Sequence, residues 1–228
     1  MNININDLKN IHTARGMIYN FIRKSIVTQP DKSYYEFLIK ILPTLEEFSN
    51  HFRKDNINQA INNISLLLKK RNSLKGDKLE EFDMDLLRNY TSLICIPNVV
   101  PQEESYYTSK DNLSGQEAND IMASLLMKYD LDISSNVSLY YDDIAVELSF
   151  MSHLAYLSAD KVNEDNVYKS LIKEQYDFHI NHFDKWIYTY FDRILLLPQD
   201  SILLIPNIVL FAKEFIAEDK QFLEEIYK

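Results

Sequence analysis

The sequence predicts an all-α protein, a single helical domain spanning residues 1–228 with about eight or nine helices. Apolar residues recur at steps of three, four and seven along almost the whole chain, the spacing that lays one stripe along a helix. No convincing stretch alternates with a period of two, so nothing reads as a half-buried strand. The prolines, Pro30, Pro43, Pro97, Pro101, Pro198 and Pro206, fall at or near the predicted helix ends, where a missing N–H does least harm.

Taken in order, Leu8, Ile11, Ile18, Phe21, Ile22 and Ile26 form the first stripe. Ser33-Tyr34-Tyr35-Glu36 has the pattern of a capping box ahead of Phe37, Leu38, Ile41 and Leu42. Ile57, Ala60, Ile61, Ile64, Leu67 and Leu68 predict a third helix, and Leu79, Phe82, Leu86, Tyr90, Leu93 and Ile94 a fourth. Residues 96–113 carry no regular apolar period and read as a loop. Ser114-Gly115-Gln116-Glu117 reads as a second capping box, followed by Ile121, Met122, Leu125 and Leu126. Asp142 and Asp143 suit the start of the next helix, with Leu148, Met151, Leu154 and Ala155 on its buried side. The longest stripe is Val167, Leu171, Phe178, His182, Phe183, Trp186, Tyr190 and Ile194. Two final helices, at 202–217 and 219–227, close the chain.

Composition removes several function classes. Only three glycines occur, Gly16, Gly76 and Gly115, so no phosphate-cradling loop, dinucleotide turn or nucleophile elbow can be built. The formal net charge of −10 argues against nucleic acid and anionic membrane surfaces, and favours a basic partner. The single cysteine, Cys95, excludes an internal disulfide and multi-cysteine metal sites; it lies in an apolar run and reads as a small buried residue. The start, MNININDLKN, lacks a secretory signal's basic and apolar regions. The most apolar segment, Ile194 to Ala212, is interrupted by Pro198, Gln199, Asp200, Pro206 and Asn207 and is not a bilayer span. These features together predict a cytoplasmic protein.

Catalytic constellations are weak. His179 and His182 stand one helical turn apart and could share a metal, but His182 lies on the apolar stripe and reads as a core histidine. Asp142, Asp143 and Glu147, with Asn166, Ser170 and Glu174 downstream, approximate the magnesium-holding pattern of all-α enzymes acting on diphosphates. The first half is one residue out of step, and both halves sit on nearly consecutive helices, so this is the alternative reading. Ser105 has no elbow or nearby histidine in sequence to activate it. No resident metal or cofactor is expected. What stands out is surface chemistry: among fifteen tyrosines, the pairs Tyr106-Tyr107 and Tyr140-Tyr141 adjoin the acidic pairs Glu103-Glu104 and Asp142-Asp143. Such a combination suits an extended segment with apolar and basic side chains.

The same residues carry a resemblance. Leu86-Leu87-Arg88-Asn89-Tyr90-Thr91-Ser92-Leu93-Ile94, followed by Pro101-Gln102-Glu103-Glu104-Ser105-Tyr106-Tyr107, resembles the "DYTRLF" helix and "P-x-x-ES-x-Y" loop of the TorD/DmsD-type redox-enzyme maturation chaperones. Asp142-Asp143-Ile144-Ala145-Val146-Glu147-Leu148-Ser149-Phe150-Met151 looks like that family's "P-D-H-L-x-x-E-L-x-F-M" segment, and residues Gln175 to Trp186 look like its "Q-x-x-F-L-x-x-H-L-x-x-W" helix. Order and separation match across residues 80–190.

The resemblance implies an all-helical cytoplasmic chaperone. It would bind the N-terminal leader, often of twin-arginine type, of a molybdopterin oxidoreductase precursor and hold the apoenzyme for cofactor insertion. Carried onto this chain, Glu104, Ser105, Tyr107, Tyr141, Asp142 and Asp143 would line the peptide groove, with Tyr90 and Leu93 as apolar floor. Leader arginines would meet the carboxylates while the apolar run covers tyrosine rings. Glu147, Phe178, His182 and Trp186 match the family but read as structural. The chain departs from the pattern where the family's proline and histidine are Tyr141 and Asp143. That loosens the hinge, adds negative charge, and allows helices to swap in a homodimer.

Overall fold

The structure, a computed structural model, describes residues 4–52, 55–95, 99–132, 140–198 and 203–228. Its helices are α1 (Ile5–Val27), α2 (Lys32–Phe52), α3 (Asp55–Ser73), α4 (Asp77–Tyr90), α5 (Glu104–Thr108), α6 (Glu117–Lys128), α7 (Ile144–Lys161), α8 (Asp165–Phe178), α9 (Asp184–Leu196) and α10 (Leu204–Tyr227). Nine of them have twelve residues or more, and α5 has five. Wider π turns continue α4 through Thr91–Cys95 and join α8 to α9 through His179–Phe183. Among the described residues the only extended pairing is an isolated antiparallel bridge, Glu103 to Asp143. The all-α prediction holds. No helix is long and apolar enough to cross a membrane among the described residues.

The chain divides into two compact units. The first comprises residues 1–24, 101–190 and 217–228. Its core gathers Ile18, Met122, Leu148, Phe150, Met151, Leu154, Phe178, Phe183, Trp186 and Leu223, all buried. Burying side chains of this size contributes roughly 1.5–3 kcal/mol each. The second comprises residues 25–100 and 191–216. There Phe48 meets Phe211 and Phe215 edge-on at 6.2 and 5.3 Å, and Arg71 lies over the Tyr35 ring while pairing with Asp83 through two 2.7 Å hydrogen bonds.

Several local expectations are corrected. The first cap is Asp31, whose carboxylate accepts from the Tyr34 amide and the Ser33 hydroxyl at 2.8 Å, so α2 starts ahead of the expected box. Tyr34 and Tyr35 are buried, and Pro43, expected near a helix end, lies inside α2. Gln116 precedes α6 without capping it by its side chain; Ser114 donates instead to Glu103 Oε2 at 3.2 Å. Cys95 is exposed, because the π turn ends there and presents Leu93 and Ile94 inward. Val167 is also exposed. The two expected C-terminal helices are one, α10, within which Asp219 is drawn inward by Arg15. Pro97 and the start of that last helix at residue 202 fall outside the described residues.

Candidate functional site

The α7 start behaves as the sequence suggests. Asp143 is its N-cap, accepting from the Ala145 amide at 2.7 Å. Asp142 does something different: its Oδ2 accepts from the Ser105 amide at 2.8 Å, and its backbone carbonyl accepts from Glu104 N at 2.9 Å. Ile144 N donates to the Gln102 carbonyl at 2.8 Å. Asp142 therefore ties the first turn of α5 to the entrance of α7. A five-residue helix has too few internal hydrogen bonds to persist alone, so these ties define it.

Beneath this junction lies a buried acid cluster. His182, in the π turn, donates from Nδ1 to Glu104 Oε2 at 2.6 Å and stacks on Phe178 with ring centroids 4.5 Å apart. Trp186 donates from Nε1 to Glu147 Oε2 at 3.1 Å. Glu147 Oε1 meets no N–H or hydroxyl donor; it neighbours Glu104. Burial, then the adjacent Glu104 charge and its hydrogen bond, push the Glu147 carboxyl well above the ordinary range, against the lowering effect of Trp186. Burial and the neighbouring negative charge thus favour the protonated form of Glu147 more than in an ordinary carboxyl.

Glu104, Glu147 and His182 bring ligand-capable atoms within 4.8 Å of one another. Tetrahedral metal ligands at roughly 2.0–2.1 Å would stand about 3.3 Å apart. The 2.6 Å His182–Glu104 contact is closer than that and is the geometry of a charge-assisted hydrogen bond. The magnesium reading fares similarly: Asp142 and Asp143 already accept from backbone amides, Glu174 pairs with Lys128 at 2.5 Å, and Asn166 and Ser170 lie on an exposed face of α8.

Four tyrosines that keep exposure flank the two segments of the Glu103–Asp143 bridge in sequence. Tyr106 and Tyr107 meet edge-on at 5.3 Å; Tyr107 donates to the Pro101 carbonyl at 2.7 Å and lies 5.3 Å from the Trp186 ring. Tyr141 is placed by its amide, which donates to Asn119 Oδ1 at 2.8 Å. Tyr140 lies against Gly115, where φ is +73° and a Cβ would come within 2.9 Å of the Tyr140 ring. Only glycine satisfies both constraints there.

Of the residues expected to line a groove, Glu104, Ser105 and Asp142 prove buried, and Asp143 is 8% exposed, while Tyr107 and Tyr141 keep partial exposure. The acidic side chains turn inward because α5 needs their hydrogen bonds, which a sequence read as a loop does not reveal. Tyr90 and Leu93 belong to the second unit and are buried; the Tyr90 hydroxyl donates to the Ile26 carbonyl at 2.7 Å.

The first unit also contains a polar network that sequence reading missed. Arg15 grips Asp219 through Nε and, at 2.9 Å, through Nη2, and donates to Gln175 Oε1 at 2.8 Å and His12 Nδ1 at 2.7 Å. His12 Nε2 then donates to the Tyr168 hydroxyl oxygen at 2.8 Å. Tyr19 donates to Asp219 at 2.6 Å and lies 3.0 Å from His179 Nε2. The available signal was His12 and Arg15 at a helical spacing of three on an apolar stripe.

Fold and site thus define an all-helical protein with exposed tyrosines flanking the Glu103–Asp143 bridge, a buried acid cluster and no assembled catalytic constellation among the described residues. A family model described as nitrate reductase delta subunit matches residues 51–192, more than half of the chain, and the chain belongs to that family. Among curated proteins it is similar to the chaperone protein TorD of Vibrio cholerae serotype O1. The El Tor Inaba form is 29% identical over 124 residues and the Classical Ogawa form 28% identical over 122. Each match covers 54% of this chain and 54% of the relative, so the chain spans about half the length of the curated relatives it matches. No solved structure gives a significant match.

Proposed function

We propose that the protein is a cytoplasmic chaperone, acting as one unit over residues 1–228, that binds the N-terminal leader of a molybdopterin oxidoreductase precursor. It holds the apoenzyme until the cofactor is inserted, and catalyses no reaction itself. The observation that carries this reading is the tyrosine rim, Tyr106, Tyr107, Tyr140 and Tyr141, which keep exposure and flank the Glu103–Asp143 bridge in sequence. Half-exposed phenols offer apolar faces and hydrogen-bonding tips to an extended peptide, and the net charge of −10 attracts a basic one. Membership of the family and similarity to proteins named as chaperones support the same conclusion.

The contact surface in this reading is the outer rim and Glu103, while Glu104, Ser105 and Asp142 position it from below. Reversible release before export or assembly calls for micromolar to submicromolar affinity, roughly −8 to −10 kcal/mol. Titration of the protein with a synthetic leader carrying two arginines and an apolar run tests this. The expected result is binding in that range, weakened on the order of 10-fold by Tyr106→Ser combined with Tyr140→Ser. Equal binding by wild type and the double variant would remove the rim from the account.

A further inference from the structure

The buried cluster has a feature that peptide binding alone does not require: two facing carboxyl groups with an imidazole against one of them and an indole against the other. An ionised carboxylate only accepts hydrogen bonds, so two of them side by side away from water are tolerated only with a proton between them. Each group arrives on a different element: Glu104 on α5, Glu147 on α7, His182 in the π turn and Trp186 on α9. Asp142, at the entrance of α7, adds a further negative charge near Glu147, and Tyr107 and Tyr190 face Trp186 at centroid distances of 5.3 and 5.7 Å. Of these elements, α5 is the least able to stand by itself.

We propose that Glu147, His182 and Trp186 are positioning residues for the tyrosine-bearing segment Glu103–Thr108, and that the proton shared by Glu147 and Glu104 decides whether that segment stays docked. This deepens the leader-binding reading and rests on it for its functional consequence. With the proton in place, Glu147 donates to Glu104, Glu104 accepts from His182, and α5 is held with Tyr106 and Tyr107 in the rim. Loss of the proton to solvent leaves Glu147 and Glu104 both negative, beside Asp142. The mutual repulsion is relieved when Glu104, carried on the shortest helix, swings out to water. Leader affinity then falls as pH rises, because the rim loses the two tyrosines on α5.

The chain provides its own probe, since Trp186 is the only tryptophan and it donates to Glu147. Emission of Trp186 is recorded from about pH 5 to 10 in the full chain, in wild type and in Glu147→Gln. The glutamine keeps the shape, donates to Glu104 and cannot ionise. The expected result is one emission step in wild type on the alkaline side of the ordinary carboxyl range, absent in Glu147→Gln. Leader affinity in wild type falls at least 10-fold across the same step, and in Glu147→Gln it stays constant. A step of equal midpoint in both proteins, or no step in wild type, overturns the proposal.

Hydrogen exchange in wild type gives a second reading that does not depend on the variant folding. The Glu104 and Ser105 amides, bonded to Asp142, lose protection across the step while the interior of α7 keeps its own. Unchanged protection of Glu104 and Ser105 across the step also overturns it. If the step and its loss in Glu147→Gln occur but no leader binds at any pH, the positioning role stands and the leader reading fails.

Discussion

Replacing Asp219 by alanine is expected to lower stability by roughly 3–5 kcal/mol, the range for removing one partner of a buried ion pair. In a chain of this length that corresponds to a fall in Tm on the order of 10 °C. Asp219 and Arg15 are 3% exposed each, and the guanidinium has no route to water once its carboxylate is gone. Alone, burial would raise the Asp219 carboxyl; the Arg15 charge and hydrogen bonds, with His179, instead hold it well below the usual carboxylate range. Alanine therefore strands Arg15 and simultaneously removes the acceptor of the Tyr19 hydroxyl. Asp219→Asn, which keeps the shape and loses the charge, should fall between the two. Urea unfolding of the three proteins at neutral pH measures it, and a loss below about 1 kcal/mol in Asp219→Ala, the size of an ordinary surface pair, would refute the claim.

The same network predicts how stability responds to acid. Burial, then the neighbouring Arg15 charge, lowers the His12 pKa from 6.5 to about 3, against a smaller raising effect of Asp219. Between these values the unfolded chain binds a proton that the native histidine does not, so stability falls as pH drops from 6.5 toward 3. The loss reaches several kcal/mol at its lower end. Asp219 adds to the fall below its ordinary value of 3.8, because its native carboxyl also resists protonation. Glu147 works the other way: its raised native pKa stabilises at low pH and that contribution disappears as pH rises through the native value. The urea midpoint should therefore decline on both sides of a maximum. Between pH 4.5 and 6.5 the His12 and Glu147 contributions oppose each other, so His12→Gln should flatten the acid side below about pH 4.5, where His12 acts unopposed; an unchanged slope there would locate the acid sensitivity elsewhere.

The helices were legible because apolar spacing reports which face is buried, and that signal survives wherever the face is continuous. Leu148, Met151, Leu154 and Ala155 on α7 illustrate it: all four are fully buried. The spacing fails where a polar residue sits on the inner face. Helices were expected at 202–217 and 219–227, whereas one helix runs through residue 218; Asp219 sits inside it because its partner Arg15, 204 positions away, makes a buried carboxylate admissible. Cys95 failed for a related reason, since a π turn rotates the residues that follow it relative to an α-helical register.

The site shows the same division. Asp143 as the α7 cap was readable from local sequence, because capping is a contact over two residues. That Glu104 and Asp142 point inward was not, since it depends on His182 and on the Ser105 amide at separations of 78 and 37 residues. The tyrosine pairs divided along the same line. Tyr106, Tyr107, Tyr140 and Tyr141 remain at the surface, while Tyr34 and Tyr35 pack into the second unit.

The most direct test of the chaperone account is capture from the native host. Tagged protein is purified from anaerobically grown cells that express molybdopterin enzymes, and the associated proteins are identified by mass spectrometry. The account predicts an unprocessed molybdopterin oxidoreductase precursor with its leader intact, strongly depleted when the bait carries Tyr106→Ser and Tyr140→Ser. Recovery of no such precursor from cells that contain it, or equal recovery by the rim variant, would contradict the account.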